Sequence, residues 1–113
     1  MALPLNVFQT VTYVAPSEPV GIYTAPDGYS GVILLAQATN VDSPAHTVSL
    51  DHVRVTAGVA VTTPVVKSMA VQGHDTINLT QGKLVLEAGD TLKLSASNPN
   101  HVKFIGSILE TLN

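Results

Sequence analysis

Apolar and polar residues alternate along most of this chain with a period of two. Proline, glycine, asparagine and aspartate interrupt the alternation at intervals of about ten residues. The clearest stretch is Gly82–Ser97, GKLVLEAGDTLKLSAS. Leu84, Leu86 and Ala88 share one face of its first arm. Leu92, Leu94 and Ala96 share one face of the second, across the turn Glu87-Ala88-Gly89-Asp90. This pattern predicts a hairpin with one buried and one wet face.

The same reading predicts strands over Leu5–Val14, Val20–Thr24, Ser30–Asn40, His46–Thr56, Val59–Val71 and His101–Leu112, with a short piece at Thr76–Thr80. The breaks have physical causes. In Ala15-Pro16-Ser17-Glu18-Pro19 two prolines remove ladder donors, and Ala25-Pro26-Asp27-Gly28 and Asn98-Pro99-Asn100 carry strong turn chemistry. Ser30–Asn40 places Val32, Leu34, Ala36 and Ala38 on one face and Ile33 and Leu35 on the other, as expected of a central strand or one covered by a neighbouring subunit. The apolar phase of His46–Thr56 changes near Asp51-His52, which predicts a bulge or bend there. Pro64 favours an edge position for Val59–Val71, and His101–Leu112, apolar on both faces, reads as central. Together these predict an all-β fold, an antiparallel β-sandwich of about eight strands and jelly-roll-like. Residues 1–113 are expected to form one domain with a short N-terminal arm over about residues 1–6.

Composition sharpens this picture. Charged residues are 12% of the chain against about 25% in an ordinary soluble domain, which points to a surface partly covered by other subunits, the alternative being a monomer coated with threonine and serine. The basic residues Arg54, Lys67, Lys83, Lys93 and Lys103 are scattered, with no interleaved aromatics, and the net charge is −3; nucleic acid is not an expected partner. The absence of cysteine excludes disulfides, thiol catalysis and cysteine-based zinc sites. MALPLNVFQT lacks the basic and apolar regions of a signal peptide, and no apolar run approaches the ~18 residues of a membrane helix, so no membrane partner is expected.

Candidate chemistry is sparse. His46 and His52 lie on one predicted strand, roughly 20 Å apart at ~3.3 Å per residue, too far to share one ion. His74 and His101 sit at loop edges, and there is no HxH or HExxH spacing, so the four histidines read as surface or turn residues. Ser30 lies outside any nucleophile elbow, and His74-Asp75 is an isolated loop pair. Asp27, Asp42, Asp75 and Asp90 occupy turns without a calcium-loop ladder, and Glu87, Asp90 and Glu110 read as turn and surface carboxylates. Asn78-Leu79-Thr80 matches a glycosylation sequon but has no secretory signal to support it. No catalytic, cofactor-binding or metal residues are expected, and no cofactor.

The ordered segments Gly21–Leu50, GIYTAPDGYSGVILLAQATNVDSPAHTVSL, and Val66–Glu110, which includes LEAGD and ends in SILE, resemble small β-sandwich virion proteins of tailed bacteriophages, especially those of marine cyanophages. The resemblance implies a non-enzymatic structural protein of the virion, either a capsid decoration (cement) protein or a tail, neck or baseplate accessory. It implies symmetric oligomers, trimers among them, and contacts with other virion proteins of the capsid or tail. It brings no catalytic residues. Leu3, Leu5 and Phe8 of the N-terminal arm, and Val61 and Val65 of the irregular Gly58–Val71 segment, are the expected subunit contacts. The alternative is a receptor- or carbohydrate-binding β-sandwich of a phage fibre or adhesin, for which Tyr29 beside a glycine-rich turn is the candidate stacking platform.

Overall fold

The computed structural model describes residues 6–113, which form strands and the turns between them. In chain order the strands are β1 (Asn6–Val14), β2 (Val20–Thr24), β3 (Tyr29–Asn40), β4 (His46–Thr56), β5 (Val59–Val71), β6 (Thr76–Asn78), β7 (Leu84–Leu86), β8 (Thr91–Ala96) and β9 (Val102–Leu112). One sheet runs β1-β9-β3-β6, with β7 also paired to β3; the other runs β2-β8-β4-β5. Every pairing is antiparallel. β6 and β7 are two pieces of one interrupted strand along the side of β3 away from β9. Counting them as one gives the two-sheet winding of a jelly roll, in which chain neighbours repeatedly change sheet.

The core lies between the sheets. Ile33, Leu86, Val102 and Ile108 from one sheet meet Val48, Leu50, Leu92 and Leu94 from the other, all almost fully enclosed. Alternation predicts these faces because successive side chains of a strand point to opposite sides. β9 and β3 are central and β5 is an edge strand, as expected.

Three sequence expectations are corrected. The stretch Gly82–Ser97 is not a hairpin. Its first arm, β7, pairs with β3, while its second, β8, lies in the opposite sheet between β2 and β4. Both arms turn their leucines into the same core, as predicted, but from opposite sides, and Ala88, expected on the buried face, is exposed. In β3 a register shift between Ile33 and Leu35 reverses the phase, so Ile33 points inward with Ala36 and Ala38 while Leu34 is left exposed. Near Asp51, β4 runs in unbroken register with β8. The irregularity belongs to its other neighbour, β5, where Ser68 has φ 50° and the pairing slips opposite Leu50.

β4 and β5 turn through Ala57-Gly58 with φ 53° and 79°, a two-residue hairpin turn with both central residues left-handed. β8 reaches only as far as Val53, so the distal part of this hairpin extends past its sheet as an arm. The molecule measures 49 by 29 by 22 Å. Leu3, Leu5 and the first five residues of the expected N-terminal arm lie outside the described residues; Asn6 already pairs with Thr111 in β1.

Candidate functional site

Cross-strand register builds an apolar row on the outer face of the β1-β9-β3 sheet. Phe8 lies opposite Leu109, Leu109 opposite Val32, and Val32 opposite Val85. All four point away from the core, because their strand neighbours Gly31, Ile33, Leu86, Ile108 and Glu110 point into it. Phe8 is 74% exposed and Val85 55%. Further along the same sheet Tyr13, Val14, Val41 and Ile105 line a shallow groove of about 610 Å³. On the hairpin arm Val59 and Val61 are exposed on one face, beside Thr56 and Arg54, and Val55 is exposed on the other.

Of the expected contact residues, Phe8 and Val61 are therefore surface-exposed, on different parts of the molecule. Val65 is half-buried, packs against the core and lines a cleft with Leu79 and Leu84. Leu109, Val32 and Val85 were not singled out from sequence. The available signal was the two-faced apolar character of β3 and β9. Tyr29 opens β3 opposite Leu112 and is half-buried. Neither the groove nor the cleft has a carboxylate or histidine in its lining.

Among the described residues, polar side chains gather instead in three clusters, each built around a buried side chain. At the β7–β8 turn, Asp90 is 2% exposed. Its Oδ1 accepts Arg54 Nε at 2.9 Å, and its Oδ2 accepts the Arg54 terminal nitrogen at 2.7 Å, His52 Nε2 at 2.9 Å and the Glu87 N–H at 2.9 Å. Arg54 also reaches Glu87 at 3.0 Å. The Arg54 bonds foremost hold the Asp90 carboxyl well below the usual carboxylate range; burial opposes them, and the His52 and Glu87 bonds reinforce them. Asp90 is thus no solvent residue, although Glu87 is.

The second cluster spans the two sheets. Tyr23 of β2 donates to Glu110 Oε2 of β9 at 2.6 Å, and Gln9 of β1 donates to Glu110 Oε1 at 2.7 Å. Gly31, opposite Glu110, makes room for this contact, because a Cβ there would stand 2.9 Å from the Tyr23 hydroxyl. Burial foremost, with the Glu110 bond and charge, pushes the Tyr23 phenol well above its ordinary value. Glu110, read from sequence as a surface residue, is almost fully enclosed.

The third cluster ties together the turns at one end of the sandwich. Buried Asn40 donates to the carbonyls of Pro44 (2.9 Å) and Val71 (3.0 Å) and accepts from Asp42 N–H (2.9 Å). Asp42 Oδ1 accepts from Ser43 N–H at 2.8 Å, and Asp42 Oδ2 lies 2.9 Å from His46 Nε2 and 3.5 Å from His101 Nδ1. His46, expected at the surface, is 5% exposed. The β5–β6 turn packs so closely here that a Cβ on Gly73 would fall 1.9 Å from the Ser43 carbonyl oxygen.

No protein-family model matches the chain, and no curated protein matches it. Solved structures do. A chain of the infectious bursal disease virus Gx strain aligns with TM-score 0.60 and 12% identity over 96% of this chain. One from the T13 particle of the same virus aligns with TM-score 0.56 and 9% identity over 97%. The VP2 subviral particle of that virus aligns with TM-score 0.50 and 10% identity over 96%. The present chain spans about a third of the length of each, since it covers 32%, 32% and 33% of them. At these identities the likeness is one of fold: this chain has the β-sandwich found within proteins of an icosahedral virus particle.

Proposed function

We propose that this chain is a non-enzymatic structural protein of a virus particle, and more finely a bacteriophage virion protein that decorates the capsid or serves as a tail, neck or baseplate accessory. The observation that carries this reading is the outward apolar row Phe8–Leu109–Val32–Val85, displayed on a fold shared with virus-particle proteins. Side chains of this kind gain by leaving water, and obligate interfaces are more apolar than ordinary surfaces. The occupant of this face is a second copy of the chain in a symmetric oligomer, and the assembled oligomer sits on the virion. The low charge of the sequence supports the same reading.

Phe8→Glu and Val85→Lys place charge on the row without entering the core. Each should leave the circular dichroism of the folded chain unchanged while weakening self-association by about tenfold or more. Light scattering after size exclusion reads this directly, and incorporation into particles should fall in parallel. A wild-type chain that stays monomeric at high concentration, or variants that assemble and incorporate as wild type does, would sink the reading.

A further inference from the structure

We propose that Asp42, His46 and His101 form a binding site for a divalent transition-metal ion of the zinc type at the turn end of the sandwich. Asp42 comes from the β3–β4 turn, His46 opens β4, and His101 closes the β8–β9 turn. Fifty-five residues of sequence separate the histidines, so only the fold brings them together.

Their ligand atoms all lie within 4.8 Å of one another. Ligand atoms held about 2.0–2.1 Å from a tetrahedral zinc ion are about 3.3 Å apart. The distances from Asp42 Oδ2 to His46 Nε2 and His101 Nδ1, 2.9 and 3.5 Å, bracket that spacing. Two imidazoles and one carboxylate leave a coordination position for water or for a group from a neighbour. The nitrogen ligands favour zinc, nickel, cobalt or copper over calcium or magnesium, which prefer oxygen alone.

The surroundings already aim two of the three ligands. Asn98 Nδ2 lies 3.3 Å from His46 Nδ1 and holds the ring with Nε2 toward Asp42; a metal on Nε2 places the ring proton on Nδ1, so the Asn98 amide must turn its oxygen to accept it. The Ser43 N–H occupies Asp42 Oδ1, leaving Oδ2 to face the histidines. His101 is the adjustable ligand. Its ring stacks on His46 with centroids 4.9 Å apart and an interplanar angle of 5°. An ion lies in the plane of each ring that ligates it, so parallel rings cannot share one and a ring must turn. His46 is enclosed and held by two partners, whereas the His101 side chain is 41% exposed, so His101 turns. Its 3.5 Å approach to Asp42 is too long to be a good hydrogen bond that would resist this.

The test titrates zinc chloride into the metal-stripped full chain by calorimetry, with magnesium and calcium chloride as controls. Zinc should bind with one-to-one stoichiometry and raise the melting temperature, and the controls should do neither. His101→Gln, at an exposed position, should weaken zinc binding by about tenfold or more, while His74→Gln on the neighbouring turn should leave it unchanged. Should His101→Gln lose its fold, imidazole nitrogen resonances of the wild-type chain decide: zinc must shift His46 Nε2 and His101 Nδ1 and spare His52. No zinc binding, full binding by a folded His101→Gln, or shifts absent from His46 and His101 would overturn the site.

Discussion

Asp90 is the residue on which the β7–β8 turn depends. Replacing it with alanine leaves the Glu87 N–H, His52 and Arg54 without their shared acceptor. The expected loss is about 2 kcal/mol in urea unfolding. The acid response follows from the depressed carboxyl pKa. Its contribution is fully present above the unfolded-state value of about 3.9 and disappears as pH falls below it. The wild-type urea midpoint should therefore decline below about pH 4, and Asp90→Ala should flatten that part of the profile. The sequence indicated a turn at Gly89-Asp90 but not this role, because Arg54 and His52 are 36 and 38 residues away. Glu110 was opaque for a related reason. A charged residue in an alternating strand reads as solvent-facing, whereas this one points inward and is satisfied by Tyr23 and Gln9.

Element boundaries were legible because proline and glycine punctuation and period-two alternation are local properties. His46–Thr56 and Val59–Val71 match β4 and β5 at both ends. Strand partners were not legible. The leucines of β7 and β8 report which faces are buried, and that pattern is the same whether the two strands pair or sit in opposing sheets. The bulge in β3 has no local signature because Leu34 is apolar and fits either phase. The β4–β5 hairpin illustrates how stability varies within one element. Beyond Val53 it loses its contact with β8 and carries exposed valines on a two-strand ladder. Amide exchange should accordingly be faster across residues 54–62 than in β8 and β9, as measured by hydrogen–deuterium exchange. Equal protection throughout β4 would contradict this.

On the scale of the whole molecule, the Tyr23–Glu110 bond joins the two sheets across the core. Tyr23→Phe keeps the ring but removes the donor from an enclosed carboxylate, at an expected cost of about 1–2 kcal/mol. The phenol pKa is raised in the fold, so this contribution is complete below the unfolded value of about 10 and is lost as pH rises above it. Wild-type stability should fall above about pH 10, and Tyr23→Phe should remove most of that decline, as followed by urea unfolding in the alkaline range.

The sheet margins are unequally defended. β2, β6 and β7 are short, and β5 carries Pro64, Lys67 and the kink at Ser68. β1 is nine residues long, pairs with β9 without a register break, and in NVFQTVTYV contains neither proline nor charge. Among the described strands it alone offers an extended, uninterrupted template of outward N–H and C=O groups. If chains of this protein ever polymerise side by side, growth will begin from β1, and one lysine placed midway along it would act as the stop that the native sequence lacks.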